Sequence, residues 1–189
     1  MEPFKKIKSI ATPLDKVNVD TDQIVPKQFL KLIQRTGFGQ YLFYDWRYDK
    51  GAPRKDFVLN DPAYANSKIL LARDNFGCGS SREHAVWALD DYGFRVVIST
   101  SFADIFYNNC FKNGVLPIRV SDDILQKLFS IKSEIEVDLE TQSIKADGIQ
   151  VSFHIEPHWK KILLEGLDDI AVTLLHESDI MRYEKSHKT

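Results

Sequence analysis

The chain is poor in the residues that build covalent or metal-clamped frameworks. Among 189 residues there are two cysteines and two methionines. Cys78 and Cys110 stand far apart, with no C-x-x-C pair and no neighbouring Cys/His set, so a disulfide scaffold and a structural zinc site are both excluded. An iron–sulfur cluster takes more thiolates than this chain possesses, and any cluster serving it must be held by another chain. No apolar run approaches the ~20 residues of a membrane span, and Met1-Glu2-Pro3-Phe4-Lys5-Lys6 lacks the pattern of a secretory signal. The expected setting is the cytoplasm. There is no charge excess either: 25 Lys and Arg against 27 Asp and Glu leave −2, which gives no general attraction to nucleic acid or anionic lipid.

What is present is material for an ordinary core, 43% hydrophobic residues with 28% charged ones, and no repeat or linker divides it. The expected organisation is one unit over 1–189, with a helical extension from about 157. Residues 5–11 alternate as a first strand, which Thr12-Pro13 should break. A polar loop over 18–26 follows, in which Asp20 and Asp22 read as a turn held by side-chain-to-backbone bonds in preference to a metal site. Helices are predicted over 27–33 and 36–44. Six aromatics lie between Phe38 and Tyr48. They cannot share one helical face, because neighbours such as Phe43 and Tyr44 point about 100° apart, so the second face meets either an aromatic loop or a partner subunit. Residues 49–67, rich in Gly, Pro and Asn, read as a surface excursion.

From Ile69 the rhythm becomes β/α: strands over 69–72, 95–99 and 115–120 alternate with helices over 81–92 and 103–112. Such alternation predicts parallel pairing through crossovers. A helix capped by Ser121-Asp122 should run to about Ser130. From Glu134 the period falls to two, with a hairpin signal at Asp147-Gly148, which predicts a small antiparallel meander. Pro157 and Gly166 bracket a helix, two short helices follow near 170–175 and 179–184, and the last five residues are expected to fray.

The densest chemistry lies at 75–84, Asn75-Phe76-Gly77-Cys78-Gly79-Ser80-Ser81-Arg82-Glu83-His84, where a buried strand should turn into a helix. The first amides of a helix and the positive end of its dipole suit an anion, glycines let it approach the backbone, and Arg82 adds a planar fork for carboxylate or phosphate. Spacing excludes three familiar alternatives. There is no third glycine for a dinucleotide fingerprint, no Gly-Lys-Ser/Thr for a P-loop, and no glycine two places after either serine for a hydrolase elbow. Ser80-Ser81-Arg82-Glu83 is also a capping-box pattern, and on the residues alone capping is the readier role for Ser80. His84 reads as a packing residue. Cys78 reads as a small loop residue, with nothing local beyond the helix end to lower its pKa.

Together with the loop at 18–26 and the long segment 101–117, this motif resembles the aconitase superfamily, in its branch of separate small subunits of isopropylmalate dehydratases. The resemblance covers nearly the whole chain. It implies a swivelling β/β/α domain of the aconitase type, formed here by the parallel β/α core and the antiparallel meander. It implies a heteromeric hydro-lyase of leucine biosynthesis, whose large subunit carries a [4Fe–4S] cluster, with no metal or cofactor in this chain. The reaction would exchange 2- and 3-isopropylmalate by loss and readdition of water. By the family pattern Ser80 is the base and Arg82 binds a substrate carboxylate, with Gly79 and Ser81 contributing to substrate binding. Arg35 falls in the substrate-recognition loop, while residues 102–109 would buttress the site, Asp104 or Asn108 bonding back to it. Small subunits acting on citramalate or homoaconitate, and a stand-alone dicarboxylate-binding module, are the competing readings.

Overall fold

The computed structural model describes residues 1–31 and 36–187. In chain order its elements begin with β1 (Lys6–Ser9), β2 (Ala11–Leu14), α1 (Thr21–Ile24), α2 (Tyr44–Arg47) and the short hairpin β3 (Tyr48–Asp49) and β4 (Ala52–Pro53). Next come β5 (Ile69–Ala72), α3 (Glu83–Tyr92), β6 (Val96–Ser99), α4 (Asp104–Lys112), β7 (Leu116–Arg119) and α5 (Asp122–Ser130). The remainder is β8 (Ile135–Asp138), β9 (Ser143–Ala146), β10 (Ile149–Ser152), α6 (Pro157–Glu165), α7 (Asp169–Leu174) and α8 (Glu177–Ser186).

Two four-stranded sheets carry the fold. One is parallel, in the order β2-β5-β6-β7, and the other antiparallel, β1-β8-β9-β10. The β/α rhythm and the meander thus form as their periods predict. Alternate residues of the parallel strands serve two cores, since successive side chains point to opposite faces. Leu70, Ala72 and Val97 join α3 and the 19–59 region in one. Ile69, Leu71, Val96 and Ile98 join Ile135, Val137 and Ile144 of the antiparallel sheet in the other. Two apolar faces thereby sandwich a sheet buried on both sides, as parallel strands require.

The expected break at Thr12-Pro13 does not occur there. The chain instead changes sheets at Ile10, whose carbonyl accepts hydroxyls from Ser9 and Ser67, both at 2.8 Å. It then continues as β2 with Pro13 opposite Leu71. An edge strand tolerates a proline because one side of its backbone needs no partner, and the opposite edge repeats the device with Pro117 in β7.

The predicted helices over 27–33 and 36–44 are also corrected. A 3₁₀ turn occupies Lys27–Phe29, and the end of the first prediction lies outside the described residues. In the second segment a 3₁₀ turn at Gly39–Tyr41 and a left-handed Phe43 (φ 50°) precede α2. Tertiary contacts override the propensity here. A Cβ on Gly39 would lie 2.7 Å from the Tyr92 nitrogen, and the Gly39 amide donates to Asp91 at 2.7 Å. The carbonyls of Gly39 and Leu42 are taken by the buried Arg47 guanidinium, each at 3.3 Å. The six aromatics largely cover one another: Phe38 and Phe43 are buried, Phe43 stacks on Trp46, and Tyr44 sits 4.9 Å from Tyr48. The excursion over 49–67 is largely exposed, as expected, but sends Phe57 and Leu59 into the core.

At the C-terminal end, Trp159 of α6 stacks on Phe111 of α4 with centroids 5.0 Å apart. Gly166 (φ 67°) ends α6 in the left-handed conformation, and its carbonyl accepts from the N-terminal ammonium at 3.0 Å. α7 and α8 bury no residue, and α8 extends to Ser186 where fraying was expected.

Arg47 is the cation that locks the 39–60 region, since its Nε also reaches Asn60 at 3.3 Å. Arg47→Leu leaves two backbone carbonyls without their donor in a dry site, and the expected loss is about 2 kcal/mol or more. Urea unfolding checks this, and an unchanged midpoint contradicts the assigned role.

Candidate active site

Three loops leave the C-terminal ends of neighbouring parallel strands: 15–20 after β2, 73–82 after β5 and 100–103 after β6. Ligands of open α/β sheets gather at that edge. Here the loops are laced together by their backbones. Isolated bridges join Asp20 to Cys78 and Phe76 to Phe102. The Val19 carbonyl accepts from Gly77 at 2.8 Å and Cys78 at 3.2 Å, and the Cys78 carbonyl accepts from Thr21 at 2.9 Å. On the other side Phe76 donates to Ser101 and Ala103 to Phe76, both at 3.1 Å.

The motif needs its glycines. Asn75, Gly77 and Gly79 all have positive φ, 58°, 76° and 88°, a region costly for a residue with a Cβ. At Gly77 space is denied as well, because a Cβ would sit 2.2 Å from Cγ of Phe106. At Gly79 the nearest atom is Asp20 Cβ at 3.4 Å, so conformation alone selects glycine there.

This geometry presents Gly79, Ser80 and Ser81 to solvent. The Ser80 carbonyl is anchored by the Thr21 hydroxyl at 2.9 Å. Neither serine hydroxyl has a hydrogen-bond partner among the described residues. The expected capping box is not formed: α3 starts at Glu83, its N-cap is Arg82, and no side chain caps it. Glu83 turns away to accept from Asn113 Nδ2 at 2.9 Å. At the head of α3 the Ala85 amide donates to the Arg82 carbonyl at 3.3 Å, while no side chain takes the amides of Glu83 and His84, and the positive end of the dipole there suits an anion. Arg82 pairs through Nη1 with Asp22, leaving its other N–H groups unengaged among the described residues.

Thr21, Ser80, Ser81 and Arg82 face Asp104 and Phe106 across a pocket of about 260 Å³. That volume suits a small carboxylic acid, and the polar groups converge from one wall, the usual form of a small-ligand site. The structure thus brings Gly79, Ser80, Ser81 and Arg82 together, while Arg35 lies outside the described residues. Asp104 faces Arg119 at 3.8 Å and does not bond back to the motif. Asn108 makes no hydrogen bond to the motif among the described residues either. The turn reading of Asp20 is right: its carboxylate accepts from Gln23 N at 2.7 Å while Gln23 Oε1 accepts from Asp20 N at 2.9 Å. Asp22 belongs to the site as the partner of Arg82. Neither that role nor those of Thr21 and Asn113 had a local signal, because each partner lies 30 to 60 residues away in the chain.

His84 packs between Phe38 and Trp87, with centroids 5.3 and 4.6 Å away. Burial pushes its pKa down, so the neutral ring prevails and packing is its role. Burial also raises the Cys78 thiol, with Asp20 adding to the effect, and holds Cys110 well above its ordinary value. Two protonated thiols on separate elements do not fit an iron–sulfur cluster, and no group of three His, Cys, Asp or Glu able to hold a metal occurs among the described residues.

Residues 1–123 match the family model described as the aconitase C-terminal domain. Over the whole of this chain, the sequence is 54% identical to the 3-isopropylmalate dehydratase small subunit of Bacillus licheniformis and 57% identical to that of Azorhizobium caulinodans, with 98% of each relative covered. Among solved structures, a 3-isopropylmalate dehydratase from Methanocaldococcus jannaschii superposes with a TM-score of 0.68 at 27% identity, covering 95% of this chain and 99% of that one.

Gly77→Ala should lose at least ~2 kcal/mol, from the left-handed backbone plus the clash with Phe106, whereas Gly79→Ala should lose only ~1–2 kcal/mol from the backbone. Chemical denaturation of both variants reads the difference, and equal losses would show that the Phe106 contact carries no weight.

Proposed function

The chain belongs to the aconitase C-terminal domain family and, within it, to the 3-isopropylmalate dehydratase small subunits, and from that premise we propose that it supplies the base and the carboxylate-binding half of a heteromeric hydro-lyase. The enzyme interconverts 2-isopropylmalate and 3-isopropylmalate by dehydration and rehydration, a step of leucine biosynthesis in the cytoplasm. The chain acts as one swivel domain joined to a large subunit. The observation that carries this reading is the uncapped Ser80–Ser81–Arg82 turn, open to a pocket of dicarboxylate size.

The reaction removes a proton from carbon beside a carboxylate and expels hydroxide. Ser80 takes the proton. A serine hydroxyl is a weak base, so its alkoxide needs positive potential close by, which the exposed Gly79 backbone, the N-terminus of α3 and Arg82 supply. Arg82 holds a substrate carboxylate through the N–H groups that Asp22 leaves free, while Asp22 fixes the guanidinium at the pocket mouth. Ser81 and the Gly79 backbone complete the binding wall. By the family pattern Arg35 also binds a substrate carboxylate. A [4Fe–4S] cluster, if held by the large subunit, would supply Lewis acidity toward the substrate hydroxyl.

Mixing this chain with a cluster-loaded large subunit and assaying isopropylmalate, citramalate and homoaconitate tests the reading. Turnover is expected with isopropylmalate. Preference for another malate derivative reassigns the substrate, and dicarboxylate binding without turnover favours a stand-alone binding module. Ser80→Ala should assemble normally and lose ~10²-fold or more in kcat, the usual weight of a general base. Arg82→Lys should raise KM ~10-fold because a point charge cannot replace the planar fork. Near-normal kinetics in either variant remove that residue from its role.

A further inference from the structure

The S-x-x-E run at the head of α3 could close on itself. A free Glu83 carboxylate is drawn to the helix N-terminus by the dipole. With Ser80 as N-cap it would complete a capping box and start the helix two residues earlier. Ser81 and Arg82 would then be helical. In the structure Arg82 is extended instead, at φ −135° and ψ 109°.

The restraint comes from the end of α4. Asn113 Nδ2 donates to Glu83 Oε1 and to the Asn109 carbonyl, each at 2.9 Å. The amide can face only one way, because the Trp87 indole N–H is a donor only and meets Asn113 Oδ1 at 2.9 Å. Asn113 is itself fixed as the C-cap of α4, its backbone N–H shared between the Asn109 and Cys110 carbonyls at 3.2 Å. A rigid donor thus reaches across from one helix to hold the first residue of another.

We propose that Asn113 is a positioning residue for the site: by pinning Glu83 against α4 it keeps the motif's own capping box open. Ser80, Ser81 and Arg82 then remain in the loop, and the Ser80 and Glu83 amides stay free for a substrate carboxylate. A closed box would tie the Glu83 amide to the Ser80 hydroxyl and the Ser80 amide to the Glu83 carboxylate, whose charge would also repel a dianionic substrate. The proposal rests on the reading of residues 80–82 as the substrate site, and Asn113 acts only through Glu83.

Asn113→Asp is close to isosteric and replaces the donor with a like charge. In the reconstituted enzyme, KM for isopropylmalate should rise roughly tenfold as Glu83 moves to the helix end. Glu83→Ala alone should be mild, and N113D/E83A should recover most of the parent KM. A double variant as poor as N113D, or E83A as harmful as N113D, overturns the proposal by showing a merely structural bond. Amide hydrogen exchange at residues 80–83 of the full chain provides a readout without turnover. Protection should increase roughly fivefold to tenfold in N113D, as capping does, and not in the double variant; unchanged exchange in N113D overturns the role of Asn113. If the parent complex turns over no malate derivative, the substrate reading fails, while the exchange result still decides on Asn113.

Discussion

Gly77 has no side chain, and the ring of Phe106 occupies the space where one would be. That contact lets the loop after β5 descend onto the first turns of α4, within reach of the Val19 carbonyl, which binds the amides of Gly77 and Cys78. The loop after β2 is then carried along, and Thr21 fastens the Ser80 carbonyl from beneath. Each of these loops follows a strand of the same parallel sheet, so the sheet's register sets their relative heights. Ser80 and Arg82 owe their position to this lacing more than to any contact of their own side chains.

An uncapped helix end is a local weakness, since a capping side chain is typically worth about 1 kcal/mol. The motif contains the residues to cap α3 and does not use them. Departures of this kind from local preference concentrate at working sites. Positive potential that would otherwise be consumed within the chain stays available at the pocket. The two thiols lie outside this scheme: burial raises the pKa of both Cys78 and Cys110, which suits packing.

Legibility from the residues followed the range of the interactions. The β/α alternation from Ile69, the two-residue period from Glu134 and the Pro157–Gly166 bracket are local patterns, and each element formed close to its expected bounds. The turn at Asp20 was also readable, because its bonds span three residues. Pro13 misled because a proline breaks a central strand but not an edge one, and edge position is a property of the sheet. Gly39–Arg47 misled because the distant Asp91 takes the Gly39 amide and the Arg47 side chain takes the Gly39 and Leu42 carbonyls, groups that a helix would have satisfied internally. The capping box misled for the same reason: Asn113 offered Glu83 a better-fixed partner.

By itself the sequence determined the composition of the site: spaced glycines that tolerate positive φ, a paired serine, an arginine fork, and too few cysteines to hold a cluster. It also determined, through periodicity, that a parallel β/α unit and an antiparallel meander would form, and its three long motifs identified the family. Only the tertiary structure decided where α3 begins, which carboxylate meets Arg82, and that the serines face an open pocket instead of the helix end. These outcomes depend on partners 30 to 60 residues away. Whether such partners arrive is a matter of sheet order and helix packing, which no local run of residues encodes.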